Sequence, residues 1–262
     1  QHGIGVIPLY VNFGVNSYKD NVDIKPPELF RKVKESGILP MTSAPTVADF
    51  IAEFKKYIDK DMDIIHISIS SKISASYQNA CNAALQFPDG RITVIDSLNL
   101  SSGIGMLVMK AADCIGSGMS RDDTVRTVIT SIPKVRTEFI IDTVEYLHRG
   151  GRCSGLQMLM SSLLEIHPII RVADGSMQLA AKVRGNRQVV LNRLIKDAVN
   201  VLDKIDPTIV FITHAESDDD AVLIKNRLTG YDGIKHLAVT DASCVISSHC
   251  GPKTIGIIYM EK

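Results

Sequence analysis

The sequence predicts an α/β protein of two domains, a parallel-sheet α/β domain followed by an α+β domain with a mixed sheet. Three observations carry this. Short apolar runs alternate with segments of helical period through the first half. Two alternating runs in the second half are joined by Asp174-Gly175, a strong hairpin signal. At 262 residues, with 45% hydrophobic and 22% charged residues, the chain can bury a large core.

The elements follow in order. Gly5–Val11 reads as a strand, and because the chain opens at Gln1 with neither a methionine nor a signal-peptide pattern, a preceding segment is expected to be missing. Val47, Phe50, Ile51, Phe54 and Ile58 share one face after the Pro45-Thr46 start, with Thr46 the expected N-cap. Asp63–Ile69 is the next strand, followed by a helical pattern at Tyr77, Ala80, Cys81, Ala84 and Leu85. Strands Arg91–Asp96 and Thr137–Asp142 flank two helices, one after Ser101-Ser102 carrying Ile104, Leu107, Val108, Ala111 and Ile115. The other follows Ser120 and carries Val125, Val128 and Ile129. Strand–helix–strand units imply right-handed crossovers and a parallel sheet. A boundary is expected near Gly150-Gly151-Arg152, giving domains 1–152 and 153–262. Beyond it come the hairpin Pro168–Ala173 and Met177–Val183, then a helix with Leu191, Leu194, Ile195, Ala198, Val201 and Leu202 on one face. Strand Thr208–Thr213, helix Asp218–Leu228, and strands near His236–Thr240 and Thr254–Tyr259 complete a mixed sheet with two helices on one side.

Lys+Arg and Asp+Glu both number 29, so zero net charge argues against a nucleic-acid partner. Five cysteines without a C-x-x-C pair argue against a disulfide framework or a zinc site and suit a reducing cytoplasm. No apolar run is long enough to span a membrane.

The chemistry centres on hydroxyls. Ser68-Ile-Ser70-Ser71-Lys-Ile-Ser74-Ala-Ser76 follows a strand and precedes a helix, where side-chain hydroxyls and free backbone N–H groups converge and suit a small anion. A second corner, Thr42-Ser43-Ala44-Pro45-Thr46, opens the preceding helix and is expected to meet the first. Any single serine is structural by default, as a cap or turn residue; two clusters at helix starts shift the balance. His249 lies in what reads as a Ser/Gly/Pro loop, suited to donating to an anion or acting as a base. His66, in an apolar strand, reads as a satisfied core residue, while His148 and His167 stay open. The run Arg149-Gly150-Gly151-Arg152 offers two guanidinium groups but lacks the phosphate-loop pattern, and no G-x-G-x-x-G follows a strand. No G-x-S-x-G elbow marks a nucleophile and no histidine pair at helix spacing marks a metal. Met158, Leu159, Met160, Leu163 and Leu164 form an apolar stripe, either core or the lining of a channel.

Six ordered motifs carry a resemblance. Thr42-Ser43-Ala44-Pro45-Thr46 resembles a T-S-x-P-S corner, and Ile67-Ser-Ile-Ser70-Ser71-Lys72-Ile73-Ser74-Ala75-Ser76-Tyr77 an I-S-S-x-L-S-G-T-Y element. Val94-Ile95-Asp96-Ser97, Val144-Glu145-Tyr146-Leu147-His148-Arg149-Gly150-Gly151-Arg152, Ile166-His167-Pro168-Ile169-Ile170 with Asp174-Gly175 and Lys182-Val183-Arg184-Gly185, and His249-Cys250-Gly251-Pro252 continue it across the chain. The pattern is similar to the DegV family, bacterial fatty-acid-binding proteins. The resemblance implies a ligand held between the two domains: one long-chain fatty acid, its carboxylate bonded by Thr42 and Ser74 with His249 as third donor and Ser43 and Ser71 beside them. It implies a non-catalytic, cytoplasmic carrier that presents the acid to a separate ATP-dependent kinase making acyl phosphate. Arg184 would lie on the surface meeting that kinase. No cofactor or metal is expected beyond the bound acid, and membrane contact is at most transient.

Three departures stand out: Ala75 replaces the family's Gly, with Ser76 for Thr; Lys253 stands where the closing motif has Gly; and the opening strand with its D-S-x-x-D-L-P element is absent. Burial contributes roughly 0.8 kcal/mol per CH₂, against about 1.5–3 kcal/mol for a hydrogen bond to a charged group. The tail therefore sets affinity and the hydroxyls set orientation. The alternatives are a hydrolase or transferase using Ser74 with His249, and a sensor domain for a smaller molecule.

Overall fold

The computed structural model describes residues 3–152, 166–231 and 233–262. The chain begins outside any strand over residues 3–9, and β1 is Tyr10–Phe13, not the expected Gly5–Val11. The reason is pairing: β1 is hydrogen-bonded to β2 (Asn16–Lys19) and β3 (Met41–Ser43), while the earlier half of the apolar run meets no strand. Between β2 and β3 lies α1 (Pro26–Ser36), which the sequence reading passed over; Pro26 and Pro27 open it and Gly37, at φ 68°, closes it in the left-handed conformation.

Thr46 caps α2 (Val47–Ile58) with a capping box, its side chain accepting from Asp49 N while the Asp49 carboxylate accepts from Thr46 N at 2.8 Å. β4 (Ile64–Ser68) and β5 (Ile92–Asp96) pair in parallel around α3 (Ser76–Ala84), the expected strand–helix–strand unit. Phe50 and Phe54 of α2 are buried against it. α4 (Ser102–Gly116) and α5 (Arg121–Ser131, capped by Ser120) follow.

The main sheet has six strands in the order β10-β9-β11-β6-β7-β8. Here β6 (Val135–Ile140) is antiparallel to β11 (Thr254–Met260) and to β7 (Ile166–Ala173). The strand expected to extend the first parallel sheet thus belongs to the second, mixed one. β7 and β8 (Ser176–Arg184) form the expected hairpin across Asp174-Gly175. β9 (Val210–Ala215) pairs in parallel with β10 (Leu237–Asp241) and antiparallel with β11.

Both faces of this sheet are covered, so its central strand is buried throughout and alternates between two cores. Ile255, Ile257 and Tyr259 pack with α7 (Arg187–Val199) and α8 (Asp218–Leu228); Ile258 and Met260 pack with Met106 and Leu107 of α4. Further along the second face, Phe139, Ile141, Ile170, Val172 and Met177 form an apolar cluster with Leu147 of α6 (Glu145–Arg149) and with Cys250. Cys250 ends α9 (Cys244–Cys250), a short helix capped by Ser243, where the sequence reading placed a loop. Tertiary burial decides that difference: Cys244 and Val245 pack into a core with Val11, Leu29 and Phe30. Among the described residues, no helix is long and apolar enough to cross a membrane.

Candidate functional site

The serine cluster separates into distinct tasks. Ser70 is fully buried and its Oγ donates to Gly175 O at 2.7 Å, docking the tip of the β7–β8 hairpin onto the loop after β4. A Cβ on Gly175, at φ 79°, would lie 2.6 Å from that hydroxyl, so this contact requires glycine. Ser71 is exposed, and its backbone N–H donates to Asp96 at 3.2 Å. Ser74 Oγ accepts from the backbone N–H of Ser76 at 3.2 Å and lies 2.8 Å from the Ser76 hydroxyl, near the start of α3.

The second corner meets the first. Thr42 sits on β3, opposite Val11, and Thr42 Oγ1 lies 2.7 Å from His249 Nε2 on α9. Thr42, Ser43, Ser74 and His249 line one small pocket of about 40 Å³. That is carboxylate-sized, little more than the volume of one water in the liquid. Ser71 is not among its lining residues, nor is Arg184, which is exposed at the end of β8 opposite Ile166. Apolar walls surround the polar groups: Leu9, Ile69, Ile73, Leu100, Met177 and Ile246.

Sequence reasoning passed over Arg152 as a site residue. It lines the same pocket, held by two carbonyls: Nε donates to Ile73 O at 3.2 Å and Nη1 to Gly150 O at 2.7 Å. The signal was the Arg149-Gly-Gly-Arg152 run, set aside for lacking a phosphate-loop pattern. Arg149 turns instead to Glu145, at 3.3 Å.

His249 is neutral at physiological pH, its pKa pushed down to about 4 by burial and then by the nearby positive charge of Arg152. Its Nδ1 is buried with no hydrogen-bond partner among the described residues and faces Gly150, where an added Cβ would come within 2.7 Å of Cε1 and closer still to Nδ1. The imidazole is therefore clamped between Thr42 and the backbone of Gly150. Ser74 bonds to Ser76 rather than to an imidazole, and among the described residues no carboxylate orients Nδ1. A nucleophile–base–acid relay needs both contacts, so the expected alternative of Ser74 acting with His249 gains no support from this geometry. The hydroxyl donors of Thr42, Ser43 and Ser74, with the Arg152 guanidinium beside them, suit binding of an anion.

A larger apolar cavity of about 870 Å³ shares Leu9, Ile69, Val245 and Ile246 with this pocket. Ile65, His66, Ile67 and Ser68 line it consecutively, as the edge of a strand does, and β4 is paired on one side only among the described residues. His66 is half-buried with Phe50 and Phe54 edge-on to its ring, but its Nε2, like Ser68 Oγ, is enclosed with no partner among the described residues. The expectation of a satisfied core histidine is thus corrected; desolvation holds its pKa near 4. The apolar stripe Met158–Leu164 lies outside the described residues. Among the described residues no group of His, Cys, Asp or Glu is placed to hold a metal ion.

Comparison with known proteins gives a consistent picture. The family model described as "Uncharacterised protein, DegV family" matches residues 1–262. A DegV domain-containing protein of Caldanaerobacter subterraneus subsp. tengcongensis is 34% identical over 262 residues, covering 100% of this chain and 92% of the relative. Among solved structures, a fatty-acid-binding DegV family protein from Thermus thermophilus superposes with TM-score 0.93 at 28% identity, over 100% of this chain and 93% of that one. DegV from Bacillus subtilis, described as a fatty acid binding protein, superposes with TM-score 0.87 at 27% identity, over 100% and 93% respectively.

Proposed function

We propose that this chain, which belongs to the DegV family, binds one long-chain fatty acid with its carboxylate in the pocket formed by Thr42, Ser43, Ser74 and His249. The observation that carries the reading is convergence: hydroxyls from β3 and from the distant turn before α3 meet a neutral imidazole at a carboxylate-sized space walled by aliphatic side chains. The described fatty-acid binding of similar structures supports it.

The chemistry follows from the donors. With Nε2–H donating to Thr42 Oγ1, the threonine hydrogen is free to donate outward to a carboxylate oxygen, and Ser74 supplies a second hydroxyl. The hydroxyls orient the head group, and Arg152, which lines the same pocket and is held by Ile73 O and Gly150 O, places a positive charge beside it. The tail supplies the affinity, at roughly 0.8 kcal/mol per buried CH₂. An aliphatic chain offers no hydrogen bond to the open edge of β4 or to His66 and Ser68. We therefore place the tail on the other side of the pocket, over Leu100, Met177 and Cys250, where it meets the apolar face of β6–β8.

On this reading the protein is a non-catalytic cytoplasmic carrier, and a separate ATP-dependent kinase phosphorylates the presented carboxylate. The absence of a phosphate-loop motif in the sequence supports a donor site elsewhere. Arg184, exposed at the end of β8, belongs to the surface proposed to meet the kinase. Delipidated protein is expected to take up one equivalent of a C14–C18 acid, seen by native mass spectrometry. Thr42→Val should weaken uptake roughly tenfold, the scale of one charge-assisted hydrogen bond. No uptake by the unaltered protein would overturn the proposal.

A further inference from the structure

The head-group pocket depends on where α9 stands. This helix carries His249, β3 carries Thr42, and the two side chains meet at 2.7 Å. A helix of seven residues is too short to hold its own position. What it is bonded to decides where its side chains end up. The strongest tether comes from a residue that does not line the pocket. Asp20, directly after β2, turns its carboxylate to the first turn of α9: Oδ1 accepts from Cys244 N at 2.8 Å and Oδ2 from Val245 N at 3.3 Å. Its own backbone N–H donates to the carbonyl of Leu9, a wall of the pocket, at 2.8 Å.

Ser243 caps the same helix by accepting from Ile246 N. The amides of Cys244, Val245 and Ile246 are therefore spent on protein oxygens, and the first turn of α9 works as an anchor and not as an anion site. From Asp20 two rigid routes lead into the pocket. One crosses the sheet, where β2 pairs with β1 and Val11 of β1 stands opposite Thr42 of β3. The other runs along α9 to His249. Cys244 and Val245 pack with Val11, so apolar burial closes the angle between the two routes.

We propose that Asp20 is a positioning residue of the head-group site, docking α9 on the β1–β3 sheet so that His249 and Thr42 meet at hydrogen-bond distance. This rests on the fatty-acid reading and deepens it. Asp20 acts on a bound carboxylate through the imidazole that orients the Thr42 hydroxyl. Two amides converge on one side chain, and a carboxylate offers each of them its own oxygen. An asparagine has a single oxygen and would turn its NH₂ towards the second N–H.

A double-mutant cycle tests the role, with palmitate affinity of the delipidated protein read by calorimetry. Asp20→Asn is expected to weaken binding roughly tenfold, the scale of one hydrogen bond to a charged head group. In the Thr42→Val background the same change should cost less than about twofold, because the contact it serves is already gone. The ¹⁵N spectrum of ligand-free Asp20→Asn protein should show His249 Nε2 shifted towards a free imidazole. Should Asp20→Asn fail to fold in urea titration, Asp20→Glu takes its place, keeping both acceptors but setting them one methylene farther out. Equal losses in the two backgrounds, or an unshifted Nε2, would overturn the positioning role and leave the fatty-acid reading standing. No palmitate uptake by the unaltered protein would overturn the fatty-acid reading, and the imidazole spectrum would still decide what Asp20 does.

Discussion

Replacing Gly150 with alanine places one methyl group against the imidazole that organises the head-group pocket. Gly150 has φ −71°, so alanine fits its backbone without strain, and the Gly→Ala change alone stabilises by roughly 0.4–1 kcal/mol through the unfolded chain. The effect is therefore local. The new Cβ would stand 2.7 Å from His249 Cε1, where ordinary contact begins at 3.4 Å, and the approach to Nδ1 is tighter. The ring has no room to retreat directly, because its other nitrogen is already 2.7 Å from Thr42 Oγ1. It must rotate out, and Thr42 then loses the partner that directs its hydroxyl towards the ligand. Losing one hydrogen bond to a charged head group costs about 1.5–3 kcal/mol, equivalent to roughly 10- to 150-fold in affinity. Displacement titration of a fluorescent fatty acid measures this, with urea unfolding of the ligand-free protein as the check on folding. Gly105→Ala, which meets nothing within 4 Å, is the matched control and should bind normally. A Gly150→Ala protein that folds and binds within twofold of the unaltered chain would refute the clamp.

Two further outcomes concern stability. His66 and His249 are both held neutral, with pKa values near 4 against the ordinary 6.5. The unfolded chain takes up protons below pH 6.5 while the folded one resists until about pH 4, so ligand-free stability should be flat above 6.5 and fall across that window. Each histidine contributes on the order of 3 kcal/mol to that fall, and His249→Gln should roughly halve the slope of urea midpoint against pH; an unchanged slope would count against a neutral His249. Gly256 lies at the centre of the main sheet, where an added Cβ would fall 2.8 Å from Glu138 O and 2.9 Å from Phe139 Cβ. Gly256→Ala must push β6 from β11 and should cost about 1–3 kcal/mol in urea unfolding, as overpacking does; a neutral result would show the strands free to shift.

The elements that could be read from the chain are those whose signals are local. Thr46 and Asp49 announce their own capping box, Asp174-Gly175 its hairpin, and the acidic start at Asp218 its helix. Membership of β6 in the mixed sheet was not legible, because an apolar strand fits either sheet and only its neighbours β7 and β11 decide. α9 was obscured by its Ser, Cys and His content, although Ser243 accepts from Ile246 N, a cap signal that was present. Thr42, Ser43, Ser74 and His249, which line one pocket, could be proposed as site residues from the sequence because their motifs are ordered like those of a known family. Hydroxyl chemistry by itself does not distinguish Ser74 from Ser70 or Ser71. That distinction needs the hairpin tip and Asp96, both supplied by other parts of the chain. Arg152 was missed because its task depends on two carbonyls that only the fold brings near.

The 2.7 Å contact between Thr42 and His249 closes a loop of 207 residues. On the proposed reading, most of the polypeptide must therefore be in place before a ligand meets both Thr42 and His249, and neither half alone carries the two groups. Occupancy and global folding become one equilibrium: every tenfold excess of free ligand over its dissociation constant holds the whole structure shut by a further ~1.4 kcal/mol. A loaded chain is consequently a longer-lived one, and an empty chain opens more often to whatever degrades unfolded protein.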